Sequence, residues 1–246
     1  MRRRGKIRRA SLLLALVVAT SANAQLPASD LRLSLLIAND YRHNGLSQSH
    51  TGAAARFSVD YARAGGFFAG GFVANVEYAA ERYFREPREL ELNVYAGYQW
   101  QGRDWSTNLQ ISHYVYPDIE ISYDYSLATV NFALRDRYFL ALGSSDDYLG
   151  LFGRSYEARA GVALPLPHAL ELGINTGRFE ATEIGDTKYS FWDLGISRVL
   201  GRYALDLRYH GNDYDGESLY GDAGDHRFVL SVAYSIRPRP TDRDRR

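Results

Sequence analysis

Charged side chains recur at every second position in several stretches of this 246-residue chain. Glu157 is followed by Arg159 and Asp206 by Arg208, with an alanine or a leucine between them. Because successive side chains of an extended strand leave opposite faces, each pair projects from one face. Fixed charges on a shared face attract, repel and orient ions, which is the chemistry of solute selection rather than of bond making. The candidate residues for such a pore lining are Arg32, Asp40, Arg56, Asp60, Glu77, Glu89, Glu91, Tyr95, Glu157, Arg159, Glu171, Asp193, Asp206, Arg208 and Arg227.

Catalysis and metal binding need other spacings than the chain offers. Ser112 and His113 are adjacent, so in a strand they face apart and cannot form a nucleophile–base pair. His210 has no serine that the sequence assigns to it. Three alternating acids supply oxygens of the kind that calcium prefers, but the full calcium-loop pattern is absent and a solvated turn explains them better: Asp213, Asp215 and Glu217. Since the chain also lacks cysteine, we predict no enzyme, no cofactor and no metal.

The elements that position the charges are strands. Apolar or aromatic residues alternate with polar or small ones over 90–100 and again over 105–115, and a short turn separates the two halves. A period of two predicts a β-hairpin. The sixth strand-like segment changes its apolar parity between Leu127 and Val130, which predicts a bulge. The twelve segments of this kind are 31–41, 53–61, 66–78, 89–100, 104–116, 121–133, 136–145, 155–164, 168–178, 188–199, 202–210 and 226–236.

These segments predict an all-β fold, a transmembrane antiparallel up-and-down β-barrel of about twelve strands. Each segment has about ten residues, which is enough to cross a bilayer when tilted. Connections alternate between short and longer ones, as in outer-membrane barrels. A soluble sandwich would show the same alternation of polar and apolar residues. The barrel is favoured by the aromatic segment ends, such as Tyr78, Trp100 and Trp105, which suit the two membrane interfaces, and by the leader at the N-terminus.

The first 24 residues read as a cleavable signal peptide. Six basic residues precede the apolar run 12–19, and Ala22-Asn23-Ala24 fits the small-x-small rule, so we expect cleavage after Ala24. The leader holds six of the 29 basic residues and none of the 29 acidic ones, which leaves the mature chain with a net charge of −6 and argues against nucleic acid as a partner. We expect residues 25–236 to form the barrel and 237–246 to form a disordered charged tail.

Five stretches, in their order and spacing, carry a resemblance to a known family: Asn39-Asp40-Tyr41 with Gly45-Leu46-Ser47-Gln48, 89–98, Tyr114-Val115-Tyr116-Pro117, 192–210 and 228–236. On these stretches, nearly the whole mature chain resembles the porin-type family of bacterial outer-membrane proteins known as Gcw_chp or TorF-like, formerly a conserved hypothetical family of unknown function. The resemblance implies an outer-membrane barrel and names no substrate. The chain departs from the family pattern at His43 and Asn44, where an aromatic residue and an arginine are usual, and at Ile236, where a terminal aromatic residue is usual.

The function that these observations predict is a porin or channel in the outer membrane. Small hydrophilic solutes or ions would pass by diffusion, with a mild preference for cations, because acids outnumber bases in the outer half of the predicted lumen. The other partners expected are outer-membrane lipid and the barrel-assembly machinery, and the sequence does not predict an oligomeric state. The alternative is a non-conducting structural or adhesin-like barrel, which binds a partner through its extracellular loops.

Finer expectations follow from the parity of each segment. The loops 42–52 and 211–225 should lie outside the cell, and Asp40 and Arg227 are placed to pair where the first and last strands meet. Inward glycines and alanines should leave the lumen open: Ala69, Gly71, Gly97, Gly143, Gly161, Ala163, Gly173 and Gly195.

Overall fold

The computed structural model of the chain describes residues 29–77, 90–117, 122–150, 153–182, 187–213 and 221–238. The predicted leader and most of the predicted tail lie outside these ranges. The strands are β1 (Ser29–Ala38), β2 (Arg42–His43), β3 (Leu46–Ser47), β4 (Ala54–Arg63), β5 (Phe67–Asn75), β6 (Leu90–Gln101), β7 (Trp105–Val115), β8 (Tyr125–Leu134), β9 (Tyr138–Ser145), β10 (Ser155–Pro165), β11 (Leu170–Ala181), β12 (Lys188–Leu200), β13 (Tyr203–Asn212) and β14 (Arg227–Ile236). Short 3-10 helices span Tyr148–Gly150, Pro167–Ala169 and Gly221–Gly224.

Twelve of these strands form one closed antiparallel barrel, which confirms the predicted fold class. Each strand from β4 to β14 pairs with its neighbours in sequence, and β1 closes the barrel by pairing with both β4 and β14. The remaining two strands, β2 and β3, form a separate small hairpin. No helix in the described ranges is long and apolar enough to cross a membrane.

The alternation seen in the sequence separates the two faces of the barrel wall. Large apolar side chains are exposed on the outside, and Val94 and Ile111 both show 60% of their surface. Their neighbours Asn93 and Ser112 point inward and are buried. An apolar exterior around a polar interior is the pattern of a barrel whose surroundings are lipid.

The connections at the two ends of the barrel differ in length. Connections of two to four residues lie at one end, which we call the turn rim, and those of six or more residues at the other end, the long-loop rim. Arg135 and Asp136 both have positive φ in one short turn, where L-residues are uncommon. The predicted alternation of short and long connections is therefore present in the barrel.

Two of the parity predictions are wrong. β8 has no bulge: it pairs with β7 in one register from Tyr125 to Leu134, and its apolar side chains simply change from the inner to the outer face. In β5 the inward residues are the even-numbered ones, such as Phe72 and Ala74, so Ala69 and Gly71 face outward. Both errors arose because the long-loop half of this lumen contains apolar side chains, which a period-of-two pattern assigns to the outside.

Candidate functional site: the lumen and its inward-folded first loop

The first long loop folds into the barrel. At the end of β1, Asn39 stays on the wall, where its side chain accepts from the backbone N–H of Leu230 at 2.9 Å and donates to the carbonyl of Phe228 at 3.2 Å. The next ten residues, 40–49, turn inward and all ten are buried. The expectation that 42–52 projects outside is therefore wrong for most of this segment.

Asp40 organises the base of the inward loop. Its side chain is 0% exposed and accepts hydrogen bonds from Arg42 Nε at 2.7 Å, Ser47 Oγ at 2.5 Å and Ser49 Oγ at 3.2 Å. A buried carboxylate is tolerable only when its charge and lone pairs are satisfied, and here the loop itself does this. The predicted pairing of Asp40 with Arg227 is replaced by this ion pair with Arg42.

The hairpin of β2 and β3 turns through Asn44 and Gly45, whose φ angles are 49° and 81°. Two left-handed residues in an Asn-Gly pair are the signature of a type I′ turn. Gly45 also lies against the wall: a Cβ atom there would come within 2.6 Å of Cβ of Phe191. Asn212 of β13 donates to the Gly45 carbonyl at 3.3 Å. The turn is thus fixed both by its own backbone conformation and by contacts with β12 and β13.

The tip of the hairpin is bound to β10. Asn44 Nδ2 donates to Glu157 Oε2 at 2.8 Å, and Arg159 Nη2 donates to Asn44 Oδ1 at 2.6 Å. His43 Nε2 lies 3.8 Å from the same Glu157 oxygen. Burial lowers the pKa of His43 in the hairpin to about 4. The negative charge of Glu157 partly opposes this shift, and the positive charge of Arg159 lowers the pKa further. His43 is therefore neutral at pH 7, and Asn44 supplies the attachment.

A second carboxylate holds the loop at another part of the wall, on β6. Glu91 of β6 is 3% exposed and accepts a hydrogen bond from Tyr41 Oη and another from Tyr116 Oη, both at 3.0 Å. Tyr41 belongs to the loop and Tyr116 follows β7, so one carboxylate joins the loop to two wall elements. The loop is attached to the wall at β6, β10 and β13.

Aromatic side chains line the wall around the loop. Tyr114 and Tyr125 stack with ring centroids 4.6 Å apart and planes 4° apart. The contacts continue from Tyr125 to Tyr148 at 4.9 Å, and from there to Phe179 at 5.0 Å. Leu46, at the hairpin, belongs to the same buried cluster. The inward loop packs against this apolar surface, so its position does not depend on polar contacts alone.

Below the loop, Arg208 is the centre of an ionic cluster. Its guanidinium donates to Asp206 at 3.0 Å and to Asp193, which also accepts from Asn175 Nδ2 at 2.7 Å. The guanidinium lies over Gly195, where an added Cβ would be 2.9 Å from Cζ of Arg208. Inward glycines here make room for a large side chain, so the expectation that they leave open space is wrong at this position. Gly97 and Gly143 show the same relation to Phe68 and Glu157.

The remaining predicted residues lie along the wall. Tyr95 donates to Asp60, which is opposite Arg32 in the β1–β4 register, and the guanidinium of Arg56 lies 3.8 Å above the ring of Phe72. Glu171 and Arg227 also have inward parity, on β11 and β14. The prediction that Glu77 lines the lumen is wrong. Glu77 follows β5, shares the parity of outward Asn75 and is exposed at the rim. Glu89 lies outside the described residues.

Sequence reasoning missed the loop residues Arg42 and Asn44, although the Asn44-Gly45 pair is a strong hairpin signal that could have indicated order there. Ser112 and His113 do face apart, one buried and one exposed, and His113 Nδ1 instead contacts Ser126 Oγ at 3.0 Å on the outer face. Among the described residues, no group of three His, Cys, Asp or Glu side chains is arranged to hold a metal ion. The site is therefore a polar lumen with an ordered loop inside it.

Solved structures with a similar fold are outer-membrane porins. A structure of KdgM porin matches with a TM-score of 0.53 and 10% identity, covering 84% of this chain and 99% of that one. KdgM porin in complex with disordered oligogalacturonate matches with a TM-score of 0.52 and 10% identity over 84% and 99% of the two chains. NanC porin in a rhombohedral crystal form matches with a TM-score of 0.50 and 9% identity over 85% and 99%. At these identities the likeness concerns the fold.

Among curated protein sequences, none matches the chain. The family model described as a bacterial protein of unknown function, Gcw_chp, matches residues 24–236. Since this match includes all twelve barrel strands and the inward loop, the chain belongs to the Gcw_chp family.

Proposed function

We propose that this protein is an outer-membrane channel through which small hydrophilic solutes or ions diffuse passively. The observation that supports the proposal is the closed barrel of twelve strands with an apolar exterior and charged side chains inside. A structural barrel has no need of charged residues along its interior, because each buried charge must be paired at a cost. A polar, hydrated path along the lumen gives such residues a role in selecting solutes. The leader 1–24 would export the chain, and the assembly machinery would insert it.

A mild preference for cations is part of the proposal. Between Arg32 and Arg227 the inward charges of the described residues are seven acids and six arginines: Asp40, Asp60, Glu91, Glu157, Glu171, Asp193 and Asp206 against Arg32, Arg42, Arg56, Arg159, Arg208 and Arg227. Several of these are paired with each other, as in the Arg208 cluster. The excess is one acid, so the field in the lumen is weak and salt should screen it readily.

One observation favours the alternative of a non-conducting barrel that binds a partner through its long loops. Residues 40–49 fill part of the lumen and are hydrogen-bonded to three strands of the wall, β6, β10 and β13. If this loop closes the path, the charges around it serve to hold it in place. If the protein is a channel, the parent conducts and removal of the hairpin raises the conductance. If it is a partner-binding barrel, neither the parent nor the variant conducts.

Conductance in planar bilayers separates these functions. The backbone N–H of Gln48 donates to the carbonyl of Tyr41 at 2.6 Å, so residues 42–47 can be replaced by two glycines without straining the ends. We expect small conductance steps from the parent and larger ones from this variant, with a reversal potential under a salt gradient that is slightly cation-selective. Absence of steps from both folded proteins would contradict the channel and support the partner-binding barrel.

A further inference from the structure

Charged side chains on the outer face of the barrel are confined to its two rims. Within the described strands, acidic, Lys or Arg side chains with outward parity are found at two places only. Arg63 and Arg198 lie at the turn rim, and the others lie together at the long-loop end of β11 and β12: Arg178, Glu180 and Lys188. Arg154, at the end of a long connection, lies next to this group and is 59% exposed.

The strand register gives the depth of the long-loop group. Trp192 pairs with Thr176, and it heads an outward aromatic cluster in which its ring lies 5.5 Å from that of Tyr209. Tryptophan and tyrosine on the outer face mark the interface between hydrocarbon and headgroups. Arg178 pairs with Ser190, one outward position closer to the long-loop rim. Arg178 therefore lies at the level of the lipid headgroups.

An apolar groove leads from Arg178 towards the hydrocarbon. It has a volume of about 470 Å³ and crosses β7 to β11 on the outer face. Its floor is low because small side chains, among them Ala128, Ser144 and Ala158, lie between larger ones. Val130 and Leu142 pair directly, and Leu142 pairs with Ala158, which pairs in turn with Arg178. The row thus runs from apolar residues to a cation.

We propose that this groove binds one phosphorylated, multiply acylated glycolipid of the outer leaflet, that is, lipid A. A phosphate would lie against Arg178, Lys188 and Arg154, and one acyl chain would occupy the groove. Arg178 donates through Nε to Glu180 at 2.8 Å, and this ion pair orients a guanidinium that has four further N–H donors. Its side chain remains 52% exposed. Arginine matches phosphate oxygens in bidentate geometry, so the exposed donors of Arg178 suit a phosphate although three acids lie nearby: Glu180, Asp146 and Asp213, which accepts from the backbone N–H of Ser190.

The site depends on the long-loop rim facing the outer leaflet, as the proposed outer-membrane location requires, but not on conduction. Its test is therefore a binding measurement on the folded full-length mature chain in detergent. Native mass spectrometry with purified lipid A should show one bound lipid, and lipid A stripped of its phosphates should bind at least about tenfold more weakly. Equal binding of the two forms, or equally tight binding of phosphatidylglycerol, would overturn the proposal.

Matched variants test each part of the site. Arg178→Gln with Lys188→Gln should weaken binding of lipid A by about fivefold for each charge removed. Ala158→Leu should weaken it by filling the groove, since the added atoms occupy the path of the acyl chain. Arg198→Gln, an outward arginine at the opposite rim, and Ala96→Leu, an outward alanine outside the groove, should bind like the parent.

If the control variants lose binding as much as the site variants do, the protein has no specific site. Circular dichroism and heat-modifiable migration on gels would verify that each variant is folded. Should the double variant fail to fold, Arg178→Lys takes its place, because a lysine keeps the charge but loses bidentate contact and should bind lipid A measurably less tightly. Unchanged binding in that variant would count against the phosphate contact.

Discussion

Asn44→Gly tests directly whether the inward loop limits conduction. Asn44 has a φ of 49°, which glycine adopts freely, so the substitution removes the side chain without straining the turn. Besides a contact within the hairpin, between Asn44 Nδ2 and His43 Nε2 at 3.2 Å, two hydrogen bonds to β10 are lost: the one to Glu157 at 2.8 Å and the one from Arg159 at 2.6 Å. Both partners carry a charge, which makes these the stronger kind of hydrogen bond.

The magnitude follows from these two bonds. A hydrogen bond to a charged group contributes about 1.5–3 kcal/mol, so about 3–6 kcal/mol is the ceiling for the pair. Glu157 and Arg159 are neighbours on the inner face of β10 and can pair with each other once Asn44 is gone. If that recovers half of the loss, docking of the hairpin weakens by about 1.5–3 kcal/mol, a factor of about 10–150 in its equilibrium constant.

Two measurements report this change. In planar bilayers the variant should spend more time in a high-conductance state than the parent. A cysteine placed at Gln48, which is 7% exposed, should react with a small thiol reagent faster by a similar factor, since reaction requires undocking. Asn75→Gly is the matched control, because Asn75 also makes two hydrogen bonds, at 2.6 and 3.1 Å, but on the outer face. If Asn44→Gly and Asn75→Gly conduct and react alike, the hairpin is not the barrier.

Three other outcomes are expected. Leu109→Arg, at an outward position near the middle of β7, should lower the free energy of unfolding in lipid by about 2–4 kcal/mol, whereas inward Gln110→Arg should cost less; equilibrium unfolding in urea measures both. On whole cells an impermeant thiol reagent should label a cysteine at exposed Asp213 and leave one at buried Ser49 unlabelled, and labelling at Ser49 without labelling at Asp213 would contradict the inward fold of the first loop. Because the folded pKa of His43 is about 4 and that of an undocked histidine is about 6.5, the neutral form favours docking above pH 6.5 and this contribution is lost as the pH falls towards 4; the open fraction should rise over that range and His43→Gln should remove the rise.

The barrel could be predicted from the sequence because most strands have an apolar outer face and a polar inner face along most of their length. That periodicity also placed pairs such as Asp206 and Arg208 inside correctly. It failed where the inner face is apolar: Tyr125 and Leu127 face the buried cluster around the loop, and a period-of-two pattern has no means of telling such a cluster from lipid. The prediction for Glu77 failed for the same reason, because the inward apolar residues of β5, such as Phe72, were assigned to the outer face.

The inward loop itself could not be predicted from periodicity. Its position depends on partners distant in sequence, such as Glu91 for Tyr41 and Glu157 for Asn44, and these pairs have no local signature. Arg178 was missed for a different reason: it was the last residue of the predicted strand 168–178, next to the predicted loop, whereas β11 continues to Ala181 and places this charge inside the strand.

The seam of the barrel has a consequence for the sequence of folding events. β1 pairs with β14 at six positions, from Leu33–Ile236 to Ala38–Ser231, against ten with β4. Asn39, where the chain leaves the wall, is held by residues of that same last strand. The first loop therefore leaves the ribosome early but must wait for the final strand before its base is fixed. Contacts between residues so far apart in sequence form slowly. Until they form, the first loop has no fixed base and can make non-native contacts with other parts of the chain.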